Sequence, residues 1–126
     1  MKHWREIIDM SMTYKQIANL VGSVGAPNNI PYAYDHFMVD ENNPGPPAPF
    51  ITFRYIPKPF VADDINYVRI EHLVIELFTD NKDYIHTAAM EAALAGAGLA
   101  YTVDETYNDA EALYVTTYEA DFILAE

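Results

Sequence analysis

No cysteine occurs among the 126 residues. Disulfides, thiolate metal sites and cysteine nucleophiles are thereby excluded, and the composition suits a reducing cytoplasm. Basic side chains are scarce. Seven Lys and Arg stand against 19 Asp and Glu, a net charge of −12. Such a surface repels phosphate backbones and anionic lipid, which disfavours specific nucleic-acid binding. An acidic lumen that DNA slides past, or a DNA mimic, stays allowed. No apolar run approaches the ~20 residues of a spanning helix, so no membrane role is expected. Residues 1–6 lack the apolar segment and cleavage site of a signal peptide.

Catalytic and metal signatures are also missing. There is no H-E-x-x-H, no G-x-G-x-x-G and no P-loop. Around Gly22-Ser23-Val24-Gly25 the nucleophile elbow fails, because Val21 stands where its first glycine belongs. Asp80-Asn81-Lys82-Asp83 begins like a calcium loop but lacks the glycine at its sixth position. None of the four histidines (His3, His36, His72, His86) has a second at the helical i, i+4 spacing of a metal motif. His72 and Glu76 share a strand face, which is a weak metal signal beside the ordinary half-exposed sheet histidine. The expectation is therefore no metal, no cofactor and no enzymatic activity.

What is present describes one α+β domain. An apolar fraction of 51% is that of a globular chain, and this length suits a single core. Thr13 reads as an N-cap with Gln16 completing a capping box. Ile17, Leu20, Val21 and Val24 follow at i, i+3, i+4, i+7, the stripe of a helix lying on a core. Gly25 stands where a left-handed cap belongs and Pro27 blocks continuation. A helix is expected over residues 13–24. The stripe Ile7, Met10, Tyr14, Ile17, Val21, Val24 equally fits one longer helix from near Lys2.

Residues 31–39 alternate as a strand. Residues 40–49 hold four prolines, a glycine and two asparagines, the composition of an exposed loop serving as a long hairpin connection or a binding loop. Residues 50–56 read as a strand, ended or placed at an edge by Pro57 and Pro59. Asp63-Asp64 marks a turn. Residues 66–78 form the longest strand, with Leu73, Ile75 and Leu77 on one face opposite His72, Val74, Glu76 and Phe78. Thr79 and Asp80 are expected to cap the next helix, with Asp80 and Asp83 in its first turn. Its face of Ile85, Ala88, Ala89, Ala92, Ala93, Gly96 and Ala97 has little bulk and suits close approach to the sheet. Gly96 and Gly98 supply C-terminal caps. Strands at residues 100–103 and 113–124, joined by an acidic loop at residues 104–111, close the chain. The expected fold is α+β: a mostly antiparallel sheet of four to five strands, with two main helices packed on one face. Several of the 10 tyrosines fall on strand positions. They suit the rim of the core or, on an open sheet face, a protein contact.

The stretch Ile75-Glu76-Leu77-Phe78-Thr79-Asp80-Asn81-Lys82-Asp83, followed by a helix carrying Glu91, resembles a known family. It is similar to the tail-terminator, or tail completion (head–tail joining), proteins of long-tailed bacteriophages and of prophages in Gram-positive bacteria. Thr13-Tyr14-Lys15-Gln16-Ile17-Ala18 resembles the family's opening helix. Pro47-Ala48-Pro49-Phe50-Ile51-Thr52-Phe53, then Phe60-Val61-Ala62-Asp63-Asp64 and Tyr67, resembles its second strand and the segment before its third. The likeness covers about residues 12 to 124 and is carried by diffuse motifs without a catalytic signature. Residues 1–11 look like an N-terminal extension to the 12–126 core, and residues 40–48 are unusually rich in proline and asparagine.

The resemblance implies a structural virion protein of the tail and neck, assembled in the host cytoplasm. Its implied partners are itself, as a hexameric ring, the tail tube protein, and a head-completion or neck protein. No cofactor is implied. A closing ring needs a heterologous interface. Asn42, Asn43, Pro44, Phe60, Asp63, Asp64, Tyr107 and Asp109, in the loops, are the candidate contact residues. The net charge also suits an acidic bore for passing DNA. A phage-derived acidic inhibitor or DNA mimic is the alternative, and a small enzyme with an unrecognised site is a third reading. The acids are spread along the chain, which mildly disfavours a single mimic stripe.

Overall fold

The computed structural model describes residues 11–58 and 69–125. Thr13 caps the first helix, α1 (Tyr14–Gly25), through a complete capping box. Its hydroxyl accepts from the Gln16 N–H at 3.0 Å, and its own N–H donates to Gln16 Oε1 at 2.9 Å. Thr13 is extended, and Met12 before it bridges to Leu124, so a single helix running from Lys2 is overturned. Ile17, Leu20, Val21 and Val24 are buried, as the stripe requires.

Gly25 is not the left-handed cap. Its φ is −71°, and the helix runs on into a 3-10 turn, Ala26–Asn28, which Pro27 tolerates because early turn positions need no N–H donor. The left-handed residue is Asn29, with φ 56°. Glycine is needed at 25 for a different reason. A Cβ there would lie 2.8 Å from the Ile30 carbonyl oxygen and 2.8 Å from the Tyr32 ring.

Strand β1 is only Tyr32–Tyr34, not residues 31–39, because Asp35 turns into the left-handed region at φ 66°. It pairs parallel with β2 (Phe50–Lys58), Tyr32 opposite Ile51. Residues 40–49 are therefore not a hairpin connection. Strand β2 passes through Pro57 without a break. The N–H groups of Ile51 and Tyr55 point away from the following strand, and Pro57 shares their phase, so no ladder bond is lost.

Strand β3 (Arg69–Thr79) is central, flanked by β2 and by the last strand. Leu73, Ile75 and Leu77 on its inner face are all buried. Thr79 still belongs to the strand, opposite Tyr114, so it does not cap the helix. Asp83 does, its Oδ1 accepting from the His86 N–H at 2.9 Å ahead of α2 (Tyr84–Gly96). No acid occupies the first turn of α2. The helix buries Met90 and Leu94 rather than the small-residue face, and Ile85, Ala88, Ala92, Gly96 and Ala97 are exposed. Bulk decides the rotation, since two long apolar side chains remove more surface from water than a row of alanines. Gly98, with φ 76°, supplies the left-handed residue past the end. The Leu99 N–H then closes on the Leu94 carbonyl at 3.0 Å, and Leu99 is buried.

Strand β4 is Tyr101–Asn108, reaching well past residue 103, and β5 is Leu113–Leu124. Residues 104–108, expected as loop, are strand. Tyr107 pairs with Tyr114, and the turn is confined to residues 109–112. The sheet order is β1-β2-β3-β5-β4, with every pairing antiparallel except β1–β2. Both helices cover one face. Ile17, Val21, Met90 and Leu94 from the helices meet Ile51, Leu73, Ile75, Tyr118 and Phe122 from the sheet in one core. The α+β class with a mostly antiparallel sheet and two helices on one side is the observed fold.

Candidate functional site

Pairing register fixes what each sheet face carries. Tyr32, Tyr34, Tyr55, Tyr101, Tyr107, Tyr114 and Tyr118 all share the phase of the core residues and lie on the helix-bearing side. Among the described residues the tyrosines do not decorate the open face, as a tyrosine-lined contact there would require; Tyr67 lies outside them. That face instead presents Phe50, Thr52, Arg54 and Ile56 from β2, His72, Val74, Glu76 and Phe78 from β3, and Val115, Thr117, Glu119 and Asp121 from β5.

Its centre is a charge network. The His72 Nδ1 lies 2.7 Å from Asp121 Oδ1 and its Nε2 lies 2.7 Å from Glu119 Oε1. Lys58 donates to the other Asp121 oxygen at 2.6 Å. Hydrogen bonding to Glu119, then to Asp121, raises the His72 pKa above its ordinary value of 6.5. With a carboxylate at each ring nitrogen, the imidazolium can donate to both. The Lys58 hydrogen bond, then that of His72, holds Asp121 below the usual carboxylate range. Glu76 shares the His72 face but pairs with Arg54 at 3.2 Å, so the two are not joined as metal ligands. Among the described residues no group of three His, Asp or Glu side chains is placed to hold a metal ion.

At the end of the sheet where β2 begins, Phe50 stacks on Phe78 with centroids 4.6 Å apart, and Phe37 meets Phe50 edge-on. These rings floor a groove of about 440 Å³ walled by Pro44, Gly45 and Pro46 on one side and reached by Glu111 on the other. Of the expected contact residues, Pro44 lines this groove directly. Asn42 and Asn43 form a tight turn beside it, with the Asp40 N–H bonding the Asn43 carbonyl at 2.9 Å. Asp109 lies in the turn that carries Glu111, and Tyr107 lies in β4 against Tyr114. The structure thus brings the 40–49 loop and the 109–112 turn to one end of the sheet. Phe60, Asp63 and Asp64 lie outside the described residues.

The two sheet edges complete the surface. Strand β4 is exposed along nearly all eight residues and, among the described residues, has β5 as its only sheet neighbour. At the other edge β1 covers only residues 51–53 of β2. Sequence reasoning missed two features. The Phe37–Phe50–Phe78 stack has no local signal, because its members come from three separate segments. Buried Glu71 had one: it shares the phase of Leu73, Ile75 and Leu77, so a carboxylate stands in the core-facing register. Compared with known proteins, the chain matches no family model and no curated sequence.

Proposed function

We propose that this chain is a structural assembly protein of a long-tailed phage or prophage. It closes the end of the tail tube as a ring and presents the surface that joins the head. The reading begins from the sequence resemblance. One observation supports it physically: the sheet ends in two unlike edges. Among the described residues the β4 edge is long and uncovered, and the opposite edge is a three-residue β1 beside uncovered β2. Unlike edges can pair head-to-tail, and head-to-tail pairing closes a ring when its rotation divides a full turn and gives an open filament when it does not. The groove between the 40–49 loop and the 109–112 turn then serves the tube or neck partner, in the virion. Catalysis and specific nucleic-acid binding have no part in this role.

The DNA-mimic reading draws less support. A mimic needs free carboxylates in a stripe, whereas Glu76, Glu119 and Asp121 on the open face are matched by Arg54, His72 and Lys58.

The lack of cysteine makes edge-to-edge contact directly testable. A variant carrying Ala33→Cys in β1 and Thr106→Cys in β4 is treated with a short bis-maleimide. The expected result is a ladder of linked chains ending at one closed species, six by the resemblance. Each single variant should give no ladder. Dimers from a single variant, or no ladder from the double one at the highest soluble concentration, would overturn the reading.

A further inference from the structure

Where α1 begins, it crosses the far ends of β2 and β3 and leaves a cleft of about 460 Å³ lined by Tyr14, Tyr34, Tyr55, Pro57, Arg69 and Glu71. Its floor is Glu71, only 1% exposed. The Tyr14 hydroxyl donates to Glu71 Oε1 at 2.5 Å, and Arg69 Nη2 reaches the same oxygen at 3.3 Å. Glu71 Oε2 is buried and has no hydrogen-bond partner among the described residues. A buried carboxylate oxygen without a donor is costly and selects for a group that supplies one.

The walls say which group. Tyr14 stacks on Tyr55 with centroids 4.5 Å apart, and Tyr34 tilts against Tyr55 at 5.0 Å. The Tyr55 hydroxyl donates to the Tyr14 carbonyl and the Tyr55 N–H donates to the Tyr34 hydroxyl, so the ring cluster is tied in place. Aromatic faces carry negative quadrupole and attract cations. Hydrogen bonding to Glu71 raises the Tyr14 pKa, and burial pushes Tyr55 up to about 12. Both hydroxyls stay protonated at neutral pH.

We propose that this cleft binds the side chain of a lysine presented by a partner polypeptide, its ammonium seated between the tyrosine rings and paired with the Glu71 carboxylate, whose buried Oε2 turns toward the cleft to accept from it. Arginine fits less well. A guanidinium fork wants both carboxylate oxygens, and Tyr14 and Arg69 already hold Oε1. Lysine needs one oxygen, and its four-carbon stem lies along the apolar ring and Pro57 surface. Arg69 does not close the site. Its side chain is 57% exposed, its contact is long, and it leaves Oε2 untouched. The cleft borders the β1–β2 edge through Tyr34, Tyr55 and Pro57, but lysine binding is read on the unlinked chain and ring closure by cross-linking, so either proposal can fail alone.

The test titrates Nα-acetyl-lysine methylamide into the isotope-labelled full chain and follows backbone amide shifts. Saturable shifts are expected at Tyr14, Tyr55, Arg69 and Glu71. The norleucine counterpart, with the same stem and no charge, and the arginine counterpart should each bind at least roughly tenfold more weakly. Glu71→Gln should weaken lysine binding by a similar factor, and Arg69→Gln should tighten it. Tyr34→Leu, at a half-exposed ring, should weaken it severalfold and keeps the test valid if Glu71→Gln fails to fold. Equal binding of the norleucine compound, no effect of Glu71→Gln or, where that variant does not fold, of Tyr34→Leu, or the absence of saturable shifts would overturn the assignment.

Discussion

His72 is positioned to make stability depend on pH. Its side chain is 28% exposed, and it bonds Glu119 and Asp121 while Lys58 holds the far Asp121 oxygen. The folded pKa is raised above 6.5. The stabilisation is therefore fully present below the unfolded value and is lost as pH rises through the folded pKa. Asp121 works in the opposite sense. Its folded pKa lies below 3.8, so its contribution is present above that value and is lost in stronger acid. The network is strongest between these limits. In urea unfolding, His72→Gln should cost more at about pH 6 than at about pH 9, where the wild-type imidazolium has itself been lost. A cost independent of pH would mean that His72 acts by packing alone. The same strand shows what the sequence revealed about single residues. Alternation told that Leu73, Ile75 and Leu77 face inward, and Glu71 shares their phase although it was not read as buried. Alternation did not tell that Tyr14, 57 positions away, would supply the hydroxyl that the buried carboxylate binds.

Elements were legible where a local device set them. Thr13, Gln16 and the stripe to Val24 define α1 by contacts within a few residues, so the expectation and the structure agree. Strands β1 and β4 were misjudged because neighbours define them. The end of β1 comes from a left-handed Asp35. Residues 104–108 carry acids that look like loop, yet an edge strand exposed on both faces carries charge at little cost. Helix α2 was misplaced at its start because Thr79 is claimed by the β3–β5 ladder. Glycines give a sharper test of the same point. Helix propensity alone favours alanine at both Gly25 and Gly96. At Gly96 a Cβ meets nothing within 4 Å, so Gly96→Ala should raise stability by about 0.5–1 kcal/mol. At Gly25 the Cβ meets the Ile30 backbone oxygen at 2.8 Å, which cannot swing aside. Gly25→Ala should destabilise by about 1–3 kcal/mol. Thermal unfolding of the two variants side by side measures both signs, and stabilisation by Gly25→Ala would mean that the 25–30 turn shifts freely.

On the scale of the whole molecule the dominant fact is charge, 19 acids against 7 bases. Among the described residues Arg54, Lys58, Arg69 and Lys82, four of the five Lys and Arg, each contact a carboxylate, and the excess is negative. The excess extends to the edge proposed for pairing, where β4 holds Asp104 and the adjoining turn holds Asp109 and Glu111, while Glu105 beside them is paired with Lys82. Copies brought edge to edge must overcome this repulsion. Salt reduces it, because the Debye length falls from about 30 Å at 0.01 M to about 10 Å at 0.1 M. Ring closure through backbone pairing and apolar contact should therefore strengthen with ionic strength. The cross-linked ladder of the Ala33→Cys, Thr106→Cys variant should be sparse in dilute buffer and reach its final band as salt is raised. The reverse order would mean that interchain ion pairs hold the copies together. Backbone pairing at β4 would then not be the joint, because strand hydrogen bonds carry no net charge for salt to screen.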